Sequence, residues 1–279
     1  MSKMTTIDTY NNNLNRLEKD NIDYINIANI DEFIDNLKNV KNICDSAVRT
    51  YLCAILWFYK NNNLNENNIK IIRKKITEIN SKISANYDKN LMNEKETEVY
   101  LDWETIVDIY KNLYEKRNNS LVAFKKCICI GLYVLFPPRR AKDYCNMKVV
   151  ERKEECISEF NYYIIGEKKL LFTDYKTAKI YGEQYFDICE ELANLLEEYI
   201  LKYNLVGKEI ISMTNNDFSE KIKNIFIKET GKGATINTLR HSFINFIDKK
   251  MTTTEERKII AFKMGHSHVT QQDIYKKKI

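Results

Sequence analysis

The chain has 279 residues, of which 44% are hydrophobic and 30% are charged, and its formal net charge is +5 at pH 7. This balance is that of a globular protein able to fill one large core or two modest ones. The N-terminus has no apolar signal core, and no apolar stretch approaches the length needed to span a bilayer. These features exclude a secreted or membrane-spanning protein and predict a soluble, intracellular one, in the nucleus, the cytoplasm or a viral factory. The mild basic charge fits a polyanionic partner, and an ordinary solvated surface explains it equally well.

Metal and nucleotide sites are not indicated. The chain has seven cysteines and three histidines, and their positions show no zinc-ligand spacing. An odd number of cysteines within apolar segments predicts reduced thiols of an intracellular protein. The sequence also has no GxxxxGK phosphate loop. We therefore expect no cofactor and no metal.

The first third of the chain predicts a small helical domain. Apolar residues recur at helical spacing over 46–59 and again over 66–81. The polar, aperiodic residues 85–97 then indicate a linker. We place an N-terminal domain at 1–88, a linker at 89–98 and a second domain at 99–279.

The second domain predicts helices on both sides of a small sheet. Ser120 is a good cap for an almost wholly apolar helix over 121–135, which is typical of a buried central helix. Residues 157–188 are rich in Tyr, Phe and Ile and indicate about three antiparallel strands, with turns near Gly166-Glu167 and around 178–182. Thr253 and Glu256 have capping-box spacing, and Gly265 stands where a helix C-cap glycine belongs. Further helices are predicted over 103–115, 190–203, 217–229, 237–249 and 254–264. The fold class is mainly α with a small antiparallel β-sheet (α+β).

Four short motifs follow one another in the second domain. They are Arg140-Ala141-Lys142-Asp143, Thr238-Leu239-Arg240-His241-Ser242, Met264-Gly265-His266-Ser267 and Ile274-Tyr275. In order and spacing they resemble the tyrosine recombinase (phage-integrase-like) family, whose catalytic domain carries an Arg-x-x-Glu box, a His-x-x-Arg motif, a Leu-Gly-His-type motif and a tyrosine nine residues later. The spacing from His266 to Tyr275 is also nine residues. The resemblance covers about the last two-thirds of the chain.

The resemblance implies a set of roles. Tyr275 would attack a DNA phosphodiester and form a 3′-phosphotyrosine, a step that consumes neither ATP nor water and needs no metal. Arg140, Arg240 and His266 would bind the phosphate, since cationic donors stabilise the charge on its equatorial oxygens. Lys176, between two predicted strands, would protonate the departing 5′ oxygen.

The chain departs from the family pattern at two positions. Asp143 replaces the glutamate of the Arg-x-x-Glu box, and we expect it to position an arginine. The histidine of the His-x-x-Arg motif is replaced by Asn237. An asparagine amide can donate a hydrogen bond to a phosphate oxygen, but it cannot accept and hold a proton.

Some assignments have competitors. Arg139 is the alternative to Arg140, although the Arg-x-x-Asp spacing favours Arg140. Lys179 competes with Lys176 because the sequence does not fix the register of the turn. We expect Arg139, Lys179 and His268 to contact DNA.

The resemblance implies a site-specific recombinase or integrase whose two domains form a C-shaped clamp on double-stranded DNA. It would assemble as a homotetramer on paired recombination sites, and it is compatible with a monomer in solution. The abundance of Asn, Ile and Lys suggests an AT-rich source, such as a large DNA virus or another mobile element. Two alternatives stay open. The first is a type IB topoisomerase, which shares this chemistry but relaxes supercoils as a monomer. The second is a non-catalytic DNA-binding relative, which the replacement of histidine by Asn237 would fit.

Overall fold

The structure is a computed structural model that describes residues 6–88, 92, 94–250 and 253–267. The chain divides into two compact units, an N-terminal unit that ends at Lys89 and a C-terminal unit that begins at Asn90. The expected linker over 89–98 contains a helix, because Glu94–Val99 is helical.

The N-terminal unit contains four helices in its described residues. They are α1 (Thr6–Lys19), α2 (Ile30–Lys41), α3 (Asp45–Asn61) and α4 (Glu66–Asp88). Helix α3 packs against the other three and supplies much of the core, including the fully buried Leu52 and Ile55. Apolar residues at helical spacing on α3 explain this central place. The prediction of helices over 46–59 and 66–81 is confirmed, with α4 longer than expected.

The C-terminal unit has helices before and after its sheet, as predicted. The helices are α5 (Glu94–Val99), α6 (Trp103–Glu115), α7 (Leu121–Val134), α8 (Ala141–Tyr144), α9 (Ala178–Tyr181), α10 (Glu190–Tyr203), α11 (Asn215–Thr230), α12 (Ile236–Lys249) and α13 (Thr254–Lys263), and the strands are β1 (Lys148–Val150), β2 (Tyr162–Ile164), β3 (Lys169–Phe172) and β4 (Gln184–Asp187).

Helix α7 is the central helix of this unit. The Ser120 side chain accepts a hydrogen bond from Ala123 N at 3.1 Å, so the predicted cap is confirmed. Most residues of the helix from Phe124 onward are buried. A Cβ on Gly131 would lie 2.8 Å from Cδ2 of Leu195, so the glycine allows α7 and α10 to pack closely. The end of α7 leads through the two prolines directly to Arg139 and Arg140.

The sheet corrects the prediction in two ways. It has four strands in the order β1-β2-β3-β4, and β1 pairs with β2 in parallel, whereas β2–β3 and β3–β4 are antiparallel. The fold class therefore stands as mainly α with a small sheet, but the sheet is mixed. Side chains alternate between two apolar clusters, with Tyr163 facing the main core and Tyr162 and Ile164 facing a smaller one.

The connection between β3 and β4 also differs from the expectation. The segment 178–182, predicted as a turn, forms the short helix α9 and ends at Gly182 with φ +66°. All seven cysteines lie in the described part of the chain and are free thiols. Among the described helices, none is long and apolar enough to cross a membrane.

Candidate active site

Helix α13 ends in a tight turn built on Gly265. Thr253 and Glu256 form the predicted capping box at its start. At its end Gly265 has φ +71°, its N–H bonds to Phe262 O at 3.0 Å, and the N–H of His266 bonds to Ala261 O at 3.1 Å. These two bonds define a Schellman motif, and the left-handed backbone explains the glycine. We name residues 262–266 the Gly265 turn.

Four consecutive carbonyls of the Gly265 turn accept hydrogen bonds from side chains of other elements. The bonds are Gln184 Nε2 to Phe262 O (3.2 Å), Arg139 Nη1 to Lys263 O (2.7 Å), Arg240 Nη1 to Met264 O (3.4 Å), and Arg140 Nη1 (3.1 Å) and Thr177 Oγ1 (3.0 Å) to Gly265 O. The last carbonyls of a helix have no intrahelical partners and carry the negative end of its dipole, so they favour cationic donors. The turn is therefore where three predicted motifs and the β3–β4 connection meet.

Arg139 is part of the protein interior. Its side chain and that of Asp143 are both fully buried, and Nε donates to Asp143 Oδ2 at 2.8 Å. Nη1 donates to Gln184 Oε1 at 2.9 Å, and the guanidinium lies 3.9 Å from the ring centroid of Phe172. The expected DNA contact of Arg139 is not retained, because its charge is paired with Asp143 and its Nε and Nη1 donors bond within the protein interior. Asp143 does position an arginine, but that arginine is Arg139.

Arg140 and Arg240 approach the turn from two different elements. Arg140 precedes α8, is half-buried, and uses one of its five N–H donors on Gly265 O. Arg240 lies on α12 with its side chain fully buried, and its Nη1 also donates to Pro138 O at 2.6 Å. The acceptors of these bonds are main-chain carbonyls, which carry no formal charge. Arg140 and Arg240 thus place two cationic side chains at the carbonyl end of α13.

His266 lies among these arginines, with only 3% of its surface exposed. Its Nδ1 donates to Ser267 O at 3.1 Å, since a carbonyl can only accept. Burial, followed by the nearby charge of Arg240, lowers the pKa of His266 to about 3. The ring is therefore neutral near pH 7, with Nδ1 protonated and Nε2 as its acceptor nitrogen.

Lys176 lies in the β3–β4 connection, next to a residue that touches the turn. Its side chain is exposed, and the following residue, Thr177, donates to Gly265 O. Lys179, its competitor, is exposed on α9, beyond this contact point. Chain proximity to the turn therefore favours Lys176.

Asn237 lies in the first turn of α12 and is exposed. It precedes Arg240 by three residues, so the two positions share one face of the helix. Tyr275 and His268 lie outside the described residues. The site consequently brings together Arg140, Arg240 and His266 directly, and the chain segments that carry Lys176 and Asn237 beside them.

Three residues of the site were not anticipated for the contacts they make. Gln184 is 1% exposed and joins Arg139 to the Gly265 turn, and Thr177 anchors the β3–β4 connection. Gly265 was expected as a helix cap and as part of the Gly-His motif, and the structure adds that a Cβ there would lie 2.9 Å from Nη2 of Arg139. The available signal for Gln184 was its place directly before the aromatic pair Tyr185-Phe186 in β4. Within the described ranges, no group of three or more His, Cys, Asp or Glu residues is placed to hold a metal ion.

Two solved structures are similar to this chain. XerA recombinase has 16% sequence identity and a TM-score of 0.47, over 100% of this chain and 88% of that one. The Tn1549 transposon integrase, in complex with transposon right end DNA, has 12% identity and a TM-score of 0.48, over 99% of this chain and 96% of that one. No protein-family model matches the sequence, and no curated protein matches it. Since both identities are below 25% and both TM-scores are below 0.5, the function has to be argued from the side chains of this chain.

Proposed function

We propose that this protein is a site-specific DNA recombinase that breaks and rejoins DNA strands through a phosphotyrosine at Tyr275. One observation carries the proposal: Arg140, Arg240 and the β3–β4 connection all donate to carbonyls of the turn that presents His266. These are the motifs whose order and spacing resemble the tyrosine recombinase family. Residues that only pack in the same hydrophobic core have no need to meet at one turn. Residues that bind one phosphate together do have to meet.

The scissile phosphate is bound by cations. Arg140 and Arg240 supply guanidinium N–H donors, whose planar fork matches two phosphate oxygens in a way that lysine cannot. A phosphodiester beside His266 adds a negative charge next to the ring and so raises its pKa. In the fraction of molecules that this shift protonates, the ring donates to the phosphate from Nε2 while Nδ1 stays on Ser267. Asn237 adds a neutral amide donor.

The chemistry balances without ATP or a second reactant. The bond from Tyr275 Oη to phosphorus forms, the bond from phosphorus to O5′ breaks, and the proton of Lys176 Nζ passes to O5′. The phenol proton goes to solvent, because the amide of Asn237 cannot hold it. In the reverse direction a 5′-hydroxyl attacks the phosphotyrosine, and exchange of strands between two sites gives recombination.

The wider assembly is also a proposal. The N-terminal helical unit and the C-terminal unit bind the same duplex, and four copies assemble on paired sites. The protein comes from a virus or a mobile element with an AT-rich genome. The product is integration, excision or resolution of that element.

Covalent trapping tests the proposal. Wild-type protein and Tyr275→Phe are incubated, without magnesium, with labelled duplex fragments that span the ends of the element carrying the gene, and the reactions are stopped in denaturing detergent. We expect a protein–DNA adduct with the wild type alone, and its position maps the cleavage site. No adduct on any fragment, despite a mobility shift, would favour the non-catalytic relative and overturn the proposal. Adducts accompanied by supercoil relaxation but no strand exchange would favour a topoisomerase.

A further inference from the structure

The segment that carries Lys176 is held at both ends. We name residues 173–177 the lysine loop. At its start the side chain of Asn161 accepts from the N–H groups of Thr173 and Asp174, both at 2.9 Å, and donates to Asp174 O at 3.0 Å. At its other end Thr177 Oγ1 donates to Gly265 O at 3.0 Å. Lys176 is the exposed residue between these two anchors.

The second anchor lies on the candidate active site. Gly265 O accepts from Thr177 and from Arg140 at nearly equal distances, 3.0 and 3.1 Å. A carbonyl oxygen has two lone pairs, so it accepts both donors at once. The position of the lysine loop is thereby tied to the same atom as the position of a phosphate-binding arginine.

Two other side chains of the loop, those of Tyr175 and Asp174, make polar contacts with other parts of the chain. Tyr175 Oη donates to Gly182 O at 2.6 Å, a contact within the β3–β4 connection itself. The ion pair of Asp174 with Lys142, at 3.0 Å, leads to α8. The hydroxyl of Thr177 gives the lysine end of the loop a direct hydrogen bond to the Gly265 turn.

We propose that Thr177 is a positioning residue that holds Lys176 where its ammonium can protonate the departing O5′. This inference rests on the proposed function. It assigns Thr177 to one part of the reaction, cleavage of the bond from phosphorus to O5′, and not to the binding of the phosphate. A threonine at this position matters through its hydroxyl, which valine lacks at nearly the same shape.

Leaving-group chemistry makes this distinction measurable. An alkoxide is a strong base, comparable to the hydroxide formed from water of pKa about 15.7, so its departure needs a proton donor. A thiolate leaves without one, because the pKa of a thiol is about 8.5. Replacing the bridging O5′ by sulfur at the mapped cleavage site therefore removes the need for Lys176 while leaving the phosphate contacts in place.

The experiment compares the two duplexes in single-turnover formation of the covalent adduct. On the oxygen substrate we expect Thr177→Val to slow the reaction about 10- to 100-fold, a fraction of the contribution of a general acid. On the sulfur substrate it should react within about threefold of the wild type, and Thr177→Ser should restore the oxygen rate to the same degree. Lys176→Met is the reference variant. We expect it to lose more rate than Thr177→Val on the oxygen substrate and to recover the wild-type rate on the sulfur substrate to the same degree.

The matched control is Thr230→Val, which removes a threonine hydroxyl bonded to a main-chain carbonyl, Phe226 O at 2.8 Å, away from the site. It should leave both rates unchanged. Equal losses of Thr177→Val on both substrates, or no loss on either, would overturn the inference while the rescue of Lys176→Met by sulfur upholds the proposed function. If the wild type forms no adduct with either duplex, the proposed function fails and the inference falls with it.

Discussion

Arg139 and Asp143 form a buried ion pair beneath the candidate active site, with Nε 2.8 Å from Oδ2 and no exposed surface on either side chain. Nη1 of the same guanidinium holds the carbonyl of Lys263, and the face of the guanidinium lies on Phe172. Two charges removed from water need this many partners, because the cost of desolvation otherwise exceeds their attraction. The pair therefore acts as a structural support that fixes the end of α13 without touching a substrate.

Breaking this pair should destabilise the C-terminal unit strongly. Arg139→Met leaves the Asp143 carboxylate buried without its cation, and we expect a loss of about 3–5 kcal/mol in the free energy of unfolding, measured by urea denaturation. The exposed pair of Lys111 with Asp108 provides the control, and Lys111→Met should cost less than about 1 kcal/mol. Adding Asp143→Leu to Arg139→Met should recover part of the loss, and a double variant less stable than Arg139→Met would contradict the assignment.

Gly265 should tolerate a side chain less well than another glycine with the same backbone. Gly265→Ala meets both a positive φ of +71° and Nη2 of Arg139 at 2.9 Å, and we expect it to cost about 2–5 kcal/mol. Gly231 has φ +75° with no atom within 4 Å of the added Cβ, so Gly231→Ala should cost only about 1–2 kcal/mol. Thermal and urea unfolding measure both. Equal losses would show that the contact with Arg139 adds nothing.

The local features of this site could be read from the sequence, and its long-range contacts could not. The cap at Ser120, the capping box at Thr253 and the glycine at 265 depend on neighbours within a few residues, and all three predictions are confirmed. The three-residue strand β1 was missed because its only recognisable property is its parallel pairing with β2. Short strands of this kind have no periodicity of their own.

The choice between Arg139 and Arg140 shows the same limit. Both are arginines in one extended segment, and the motif spacing favours Arg140 for the phosphate. What separates them physically is burial against Phe172 and pairing with Gln184 from a distant strand. Phe172 and Gln184 are both distant from Arg139 in the sequence, so the residues around Arg139 give no sign of these contacts. The interior role of Arg139 was therefore not predicted.

The neutral state of His266 should make the folded protein sensitive to acid. The pKa of His266 is about 3 in the folded chain and 6.5 ordinarily. Between these two pH values the unfolded chain therefore binds a proton that the folded chain does not bind. Stability should therefore fall as the pH drops from about 6 to about 4, by about 1.4 kcal/mol per pH unit from this group. Urea denaturation of the wild type and of His266→Gln across this range isolates the effect. Parallel pH dependences of the two proteins would rule it out.

Asn237 should leave its mark on the pH dependence of cleavage. With no imidazole at this position, the phenol of Tyr275 loses its proton to solvent, and the single-turnover rate should rise about tenfold per pH unit from about 6.5 to 8.5, below the phenol pKa of about 10. Asn237→His supplies a base and should raise the rate at neutral pH and flatten the profile above pH of about 6.5. A variant whose profile keeps the steep rise would argue against proton transfer at this position.

The acceptor shared by Arg140 and Thr177 belongs to the backbone, and this affects how the site can change under mutation. No substitution at position 265 can delete that oxygen, so the two donors are free to vary one at a time while the other keeps hold of it. A library randomised at position 177 alone would therefore vary the contact of the lysine loop while Arg140 keeps its own bond to the same oxygen. Selection for faster or slower strand exchange could then change the position of the lysine loop without removing a phosphate-binding arginine, since the shared acceptor is a main-chain atom that no mutation deletes.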